Sequence, residues 1–339
     1  MMSEFEHTRL SAIPRVRLAQ LPTPIQPLPR FSAALGGPTI YIKRDDQTGL
    51  ATGGNKTRKL EFLMAAALEA GADCVITAGS TQSNHARQTA AAARACGLEP
   101  HLVLYAPGGQ APTVMQGNVL IDHLLGAAFH WTEERAPYTQ TIARVEADLN
   151  AAGRRPYVVP YGGSNAIGLL GYVEAMREVA AQIEEAGPFD VHVFATSSGG
   201  TQAGMLLGAR LAGLLADAAL IGISVDEPQA ALARRVVQLA AEGAAALGVT
   251  WTLRDSDPAI QIEDGYRGGG YAVVGEAERE AIRLLARSEG ILVDPVYTGR
   301  ALAGLIDLVR RGRFTAGQRV LFWHTGGTAA LFAFSGELA

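Results

Sequence analysis

A chain of 339 residues that is 48% hydrophobic exceeds what one core usually serves, so two domains or one large α/β unit is expected. With 29 Lys+Arg against 33 Asp+Glu the formal net charge is -4, which leaves no broad basic field for nucleic acid or an acidic membrane. No stretch approaches the roughly 18 apolar residues of a membrane-spanning helix.

The first segment, "MMSEFEHTRLSAIPRVRLAQ", lacks the apolar run of a signal peptide, and a soluble, cytoplasmic protein is expected. From "TIYIKRDD" onward, short β-branched runs alternate with longer helical patterns, the signature of βα units feeding a mainly parallel sheet. "DCVITAG", "PHLVLYA", "RPYVVPYGG", "VHVFATSSGG", "ALIGISV", "ILVDPVY" and "RVLFWHTGG" read as strands. Between the first strands, Leu60, Leu63, Met64 and Ala67 share one face of a helix from Lys59 to Ala70 that Gly71 stops; a second helix, Ser83 to Ala95, ends at Gly97. Cys74 and Cys96 lie in segments that read as buried and lack metal-ligand or redox spacing, so they read as core thiols and no metal site is expected. "YAPGGQAP" reads as a loop. A discontinuous arrangement is expected, with residues 1–52 plus 166–339 forming a large domain and 53–165 a small one.

In open α/β sheets, ligands gather where strands end in polar or glycine-rich turns. In "GGNKTRKLEFL", Gly53 and Gly54 permit positive φ, Asn55 is placed to cap a helix, and Lys56 falls in its first turn. A cation there opposes the helix dipole. Lys56 is therefore either a solvated helix-start lysine or an amine whose lowered proton affinity suits it to a Schiff base with a carbonyl cofactor. "ATSSGGTQAG" follows a strand and opens a helix, so the N–H groups of Ser198, Gly199, Gly200 and Thr201 form either an anion cradle or a plain turn. It matches neither the Walker nor the dinucleotide fingerprint.

In "GSTQSNHARQ", Ser83, Asn84 and His85 start a helix and can grip a carboxylate, or Ser83 can simply cap it while His85 is a satisfied surface imidazole. A Ser/His pair two apart does not face itself, which argues against a hydrolase triad. Late in the chain, Tyr297 and Thr298 follow "DPV", Thr325 precedes two glycines, and Tyr271 and Arg267 sit in "GYRGGGYAV". Tyrosines in such places are often packing groups with a bonded hydroxyl.

Together the segments "LPTPIQPLPRFSAALGG", "IYIKRDD", "GGNKTRKLEFL", "QSNHARQTAA", "RPYVVPYGGSNAIGLLGYVEA", "GILVDPVYTGRALAGLID" and "HTGGTAALFAF" resemble fold type II pyridoxal-phosphate enzymes. The resemblance is to the branch of D-cysteine desulfhydrase, L-cysteate sulfo-lyase and 1-aminocyclopropane-1-carboxylate deaminase, and it covers nearly the whole chain. It implies a two-domain, tryptophan synthase β-like α/β fold and a homodimer. Lys56 would be the Schiff-base lysine, and Asn84 would bond the phenolic oxygen of pyridoxal 5'-phosphate. The loop of Thr196, Ser197, Ser198, Gly199, Gly200 and Thr201 would hold the phosphate, with Ser197 where the family commonly has glycine. Ser83, Asn84 and His85 would receive the carboxylate of a small amino-acid substrate, Tyr271 and Tyr297 would flank its reacting carbons, and Thr325 would face the pyridine nitrogen.

In that branch the ring-opening deaminases have Glu after the tyrosine of "DPVY" and leucine at the place of Thr325, whereas this chain has Thr298 and Thr325. A neutral partner makes a shallower electron sink, which favours β-elimination of a sulfur group over ring opening. D-cysteine is the expected substrate and L-cysteate the alternative, with Arg267 as a candidate sulfonate partner; a ring-opening deaminase or a non-catalytic amino-acid binder ranks lower.

Overall fold

The computed structural model describes residues 5, 8–136 and 138–338. Its strands are β1 (Ile25–Pro27), β2 (Thr39–Lys43), β3 (Cys74–Ser80), β4 (Glu99–Tyr105) and β5 (Ala128–Thr132), then β6 (Pro156–Val158), β7 (Val191–Thr196), β8 (Ala219–Ser224), β9 (Gln261–Glu263) and β10 (Arg319–Trp323). Six of them form a sheet in the order β1-β2-β10-β7-β8-β9, and the other four a sheet in the order β5-β4-β3-β6. Every pairing is parallel except β1 against β2. The chain thus enters the large sheet, leaves to complete the small one, and returns.

Continuous apolar strands such as "VHVF" need cover on both faces. On one face of the large sheet, helices Leu170–Ala186, Gly200–Leu211 and Gln229–Leu247 bury Met176, Leu206 and Val236. On the other, Glu276–Glu289 and Thr298–Arg310 bury Leu285 and Leu305. The helix Lys56–Glu69 packs against both Asn84–Ala95 and Leu170–Ala186, which belong to different sheet layers. It is consequently buried on almost every side rather than on the single face its apolar spacing suggests; Arg58, Lys59 and Glu61 are all inside. Arg58 is answered there by Asp45 Oδ1 at 2.8 Å and Glu178 Oε1 at 2.9 Å, Lys43 also pairs with Glu178, and Tyr172 donates to Asp45.

Three expectations change. "ILVDPVY" is not a strand: the Asp294 carboxylate accepts from the N–H groups of Val296, Tyr297 and Thr298, folding the segment into a turn that starts the next helix, and Pro295 has no N–H for a ladder. Cys96 is only half-buried because it follows the last turn of its helix, whereas Cys74 is fully inside. Asn55 does not cap the Lys56 helix; its amide donates to Thr201 Oγ1 at 3.3 Å, and Gln88 Oε1 accepts the Lys56 N–H instead.

Candidate active site

The carboxyl ends of β3, β7 and β8 open on a cavity of about 660 Å³. Lys56, Ser83, Asn84, His85, Thr196, Ser197, Ser198, Gly199, Thr201, Tyr271, Tyr297 and Thr325 all line it. Gly200 stands just behind the wall, where a Cβ would lie 2.4 Å from Ser164 Oγ and 3.0 Å from Lys59 Nζ.

Lys56 is delivered by a run of five left-handed residues, Leu50, Ala51, Thr52, Gly53 and Gly54, with φ of 27°, 47°, 71°, 71° and 130°. Gly53 is obligatory by contact as well as by φ, since a Cβ there would meet the Asp46 carbonyl oxygen at 1.9 Å. Burial pulls the Lys56 ammonium down to about 8. One turn on, Lys59 is fully buried, and Nζ donates to Gly162 O and Ser164 Oγ, both at 3.2 Å. Its proton affinity is held well below the usual lysine range by burial and then by the charge of Lys56. Among the described residues neither ammonium meets a carboxylate.

The glycine turn after β7 begins the twelve-residue helix Gly200–Leu211. Ser198 Oγ lies 2.8 Å from Ser164 Oγ, Ser197 Oγ donates to Asp226 Oδ2 at 3.0 Å, and the buried Thr196 hydroxyl has no partner. A helix N-terminus and hydroxyls, backed by the enclosed Lys59 ammonium behind Gly200, make a site for a dianion. The phosphate of pyridoxal phosphate fits this donor set, and Lys56 is an amine lining the same cavity.

Across the cavity, Ser83 Oγ accepts the Ala86 N–H, so it caps the helix Asn84–Ala95 and still lines the wall. His85 is buried rather than at the surface: Nε2 is 2.8 Å from Thr77 Oγ1, Nδ1 is unpartnered, and burial followed by the charges of Lys56 and Lys59 keeps the ring neutral. The Tyr271 and Tyr297 hydroxyls are 2.5 Å apart, with Ser80 Oγ 3.2 Å from the former. Burial raises the proton affinity of both phenols, which stay neutral near pH 7.

Thr298 does not reach the cavity: its hydroxyl donates to Asp294 Oδ1 at 2.6 Å and Gly326 O at 3.2 Å. The neutral partner argued for the ring nitrogen therefore rests on Thr325 alone. Arg267 also stays outside, 3.7 Å from Asp264. The guanidinium in the wall is that of Arg135, which donates to Tyr105 Oη at 2.9 Å and stacks over its ring. Lys59, Arg135, Tyr161 and Asp226 were not singled out from the sequence. For Lys59 a signal existed, since it lies three residues after Lys56 and shares its helix face.

The family of pyridoxal-phosphate dependent enzymes matches residues 16–326, and the chain belongs to it. It is an enzyme, and its cofactor is pyridoxal phosphate. The D-cysteine desulfhydrases of Salmonella newport (strain SL254) and Salmonella heidelberg (strain SL476) are each 44% identical over 96% of this chain and 97% of their own length. Among solved structures, an ACC deaminase homologue matches with a TM-score of 0.89 and 39% identity, covering 100% of this chain and 98% of the other. A fungal L-serine ammonia-lyase from Rhizomucor miehei shares the fold, with a TM-score of 0.66 at 18% identity over 95% and 99% of the two chains.

Proposed function

We propose that the protein eliminates a sulfur group from the β-carbon of a small amino acid, with D-cysteine as substrate and pyruvate, ammonia and hydrogen sulfide as products. The observation that carries this reading is Lys56: a cavity-lining amine pulled down to about 8, opposite an anion cradle. The match to D-cysteine desulfhydrases over nearly the full length supports the choice of substrate. Pyridoxal phosphate supplies the electron sink that stabilises negative charge at the substrate α-carbon.

In this reading Lys59 Nζ, the hydroxyls of Thr196, Ser198 and Thr201, and the N–H groups that open the Gly200–Leu211 helix would hold the phosphate. Asn84 Nδ2 would serve as donor to the cofactor's phenolic oxygen, and Thr325 would be the neutral partner of its ring nitrogen. The N-terminus of the helix Asn84–Ala95 and Ser83 orient the substrate carboxylate. Lys56 Nζ takes the α-proton, the C–S bond breaks, and the hydrogen-bonded phenols of Tyr271 and Tyr297 offer a proton to the departing sulfur. Water then converts the released enamine to pyruvate and ammonia. The two sheets belong to two domains in this reading, 1–52 plus 166–339 and 53–165, and two chains pair as a homodimer on the strength of the family resemblance.

One observation favours a second reading: Arg135 at the cavity wall is a fork of the kind that binds sulfonates, which suits L-cysteate. The protein loaded with cofactor is incubated separately with D-cysteine, L-cysteine, L-cysteate and 1-aminocyclopropane-1-carboxylate. Pyruvate with sulfide from the D-isomer is expected, and Lys56→Ala should lower its rate by about 10³-fold or more. Sulfite from cysteate transfers the assignment to the second reading, 2-oxobutyrate from the cyclopropane defeats the reasoning from Thr325, and silence on all four defeats the proposal.

A further inference from the structure

Arg87 lies fully inside the molecule, one turn into the helix whose first residues face the cavity. Nη1 donates to the carbonyls of Ala51 at 2.5 Å and Gly53 at 2.8 Å, Nε to Asn118 Oδ1 at 3.0 Å, and Nη2 to Asn84 Oδ1 at 3.3 Å. All four acceptors are neutral; Asp122 and Asp294 act on the guanidinium only through space. Burying a cation without a contacting carboxylate is costly, so its place is explained by what those bonds hold.

They hold two things. The first is the left-handed run from Leu50 to Gly54, where three non-glycine residues, Leu50, Ala51 and Thr52, are held at strained positive φ. Two of that run's carbonyls find their donor in Nη1, and the adjacent Gln88 completes the grip by accepting the Lys56 N–H at 3.0 Å. The second is the amide of Asn84. Its Oδ1 accepts from Arg87 Nη2 and, at 2.9 Å, from Asn118 Nδ2, which spends the oxygen and leaves Nδ2 as the donor for the cavity.

We infer that Arg87 is a positioning residue, resting on the cofactor reading above, which locks the Lys56 loop and the Asn84 amide into one geometry so that amine and amide address the same cofactor together. A guanidinium can span two carbonyls and two side-chain amides from a single plane; a lysine ammonium cannot.

Wild type, Arg87→Ala and Arg87→Lys are each titrated with pyridoxal phosphate by visible absorbance, and the pH midpoint of the bound cofactor's band is then measured. Cofactor affinity should fall about 10–100-fold in both variants, the range seen when partners that orient a ligating group are removed. The midpoint should rise by about half a unit or more, because a phenolic oxygen that loses a donor holds a proton more firmly. Adding Asn84→Ala to Arg87→Ala should move the midpoint little further, since the two act as one unit. If Arg87→Ala does not fold, Arg87→Lys carries the same readout. Wild-type uptake with unchanged affinity and midpoint in the variants overturns this inference alone; a wild type that takes up no cofactor overturns the underlying reading and this inference with it.

Discussion

Within four residues, the helix Lys56–Glu69 carries charge held in two different ways. Arg58 is fully enclosed and answered at once by Asp45 and Glu178, with Lys43 and Tyr172 completing the set. Lys59 is just as fully enclosed and Lys56 stands half-buried at the cavity wall, and neither meets a carboxylate among the described residues. A closed ion-pair network fixes the placement of three chain segments and loses heavily if one partner is deleted. An open pair of ammonium groups contributes nothing to stability by itself, and its burial is offset only when an anion arrives. The same helix therefore anchors the large sheet with one face and borders the cavity with the other.

Deleting a carboxylate from the closed set should give the largest effect. Asp45→Asn leaves Arg58 short of a partner and is expected to cost about 3–5 kcal/mol in unfolding free energy, seen by denaturant melts with and without cofactor. A loss under about 1 kcal/mol would erase the distinction drawn here. Lys59→Met should do the reverse. Cofactor-free stability should hold or rise, because an uncompensated buried charge is removed, while pyridoxal phosphate affinity falls by about 10–100-fold, equivalent to roughly 1.4–2.8 kcal/mol. Unchanged affinity in that variant would remove Lys59 from the phosphate site.

The last expected effect is in pH, where no residue is changed. Only neutral Lys56 can attack a carbonyl, and burial lowers its pKa to about 8, so the rate of cofactor capture by cofactor-free protein should climb about tenfold per pH unit below 8 and level off above it. Stopped-flow capture rates from pH 6 to pH 10 check this, and a climb continuing toward the ordinary lysine value would show that the ammonium is not desolvated.

Much of this was written locally in the chain. Lys56 follows two glycines in a loop that must turn left-handed, and "ATSSGG" sits between a β-branched run and a helix, so both announce themselves by adjacent residues. "ILVDPVY" misled because its apolar, β-branched letters suit a strand, while the decisive event is the Asp294 side chain seizing three N–H groups. β1, β5 and β9 escaped notice since they are short and half-exposed, and their pairing depends on neighbours far along the chain. Asp226 and Arg135 were invisible for a related reason: nothing around either residue says which cavity a distant loop will bring it to. Arg267 shows the converse, a residue in a suggestive glycine-rich loop whose charge is answered locally by Asp264.

The position of β10 between β2 and β7 bears on how the molecule is made. Residues 74–158 contain the whole of the small sheet and can pair as they leave the ribosome, whereas β2 must wait for Arg319–Trp323 before its inner edge is covered. During synthesis the early strand "TIYIK" is an uncovered edge for nearly 280 residues of chain growth, on the order of half a minute at ordinary translation rates. Chaperone dependence should consequently concentrate on the outer segments of the chain and spare the middle.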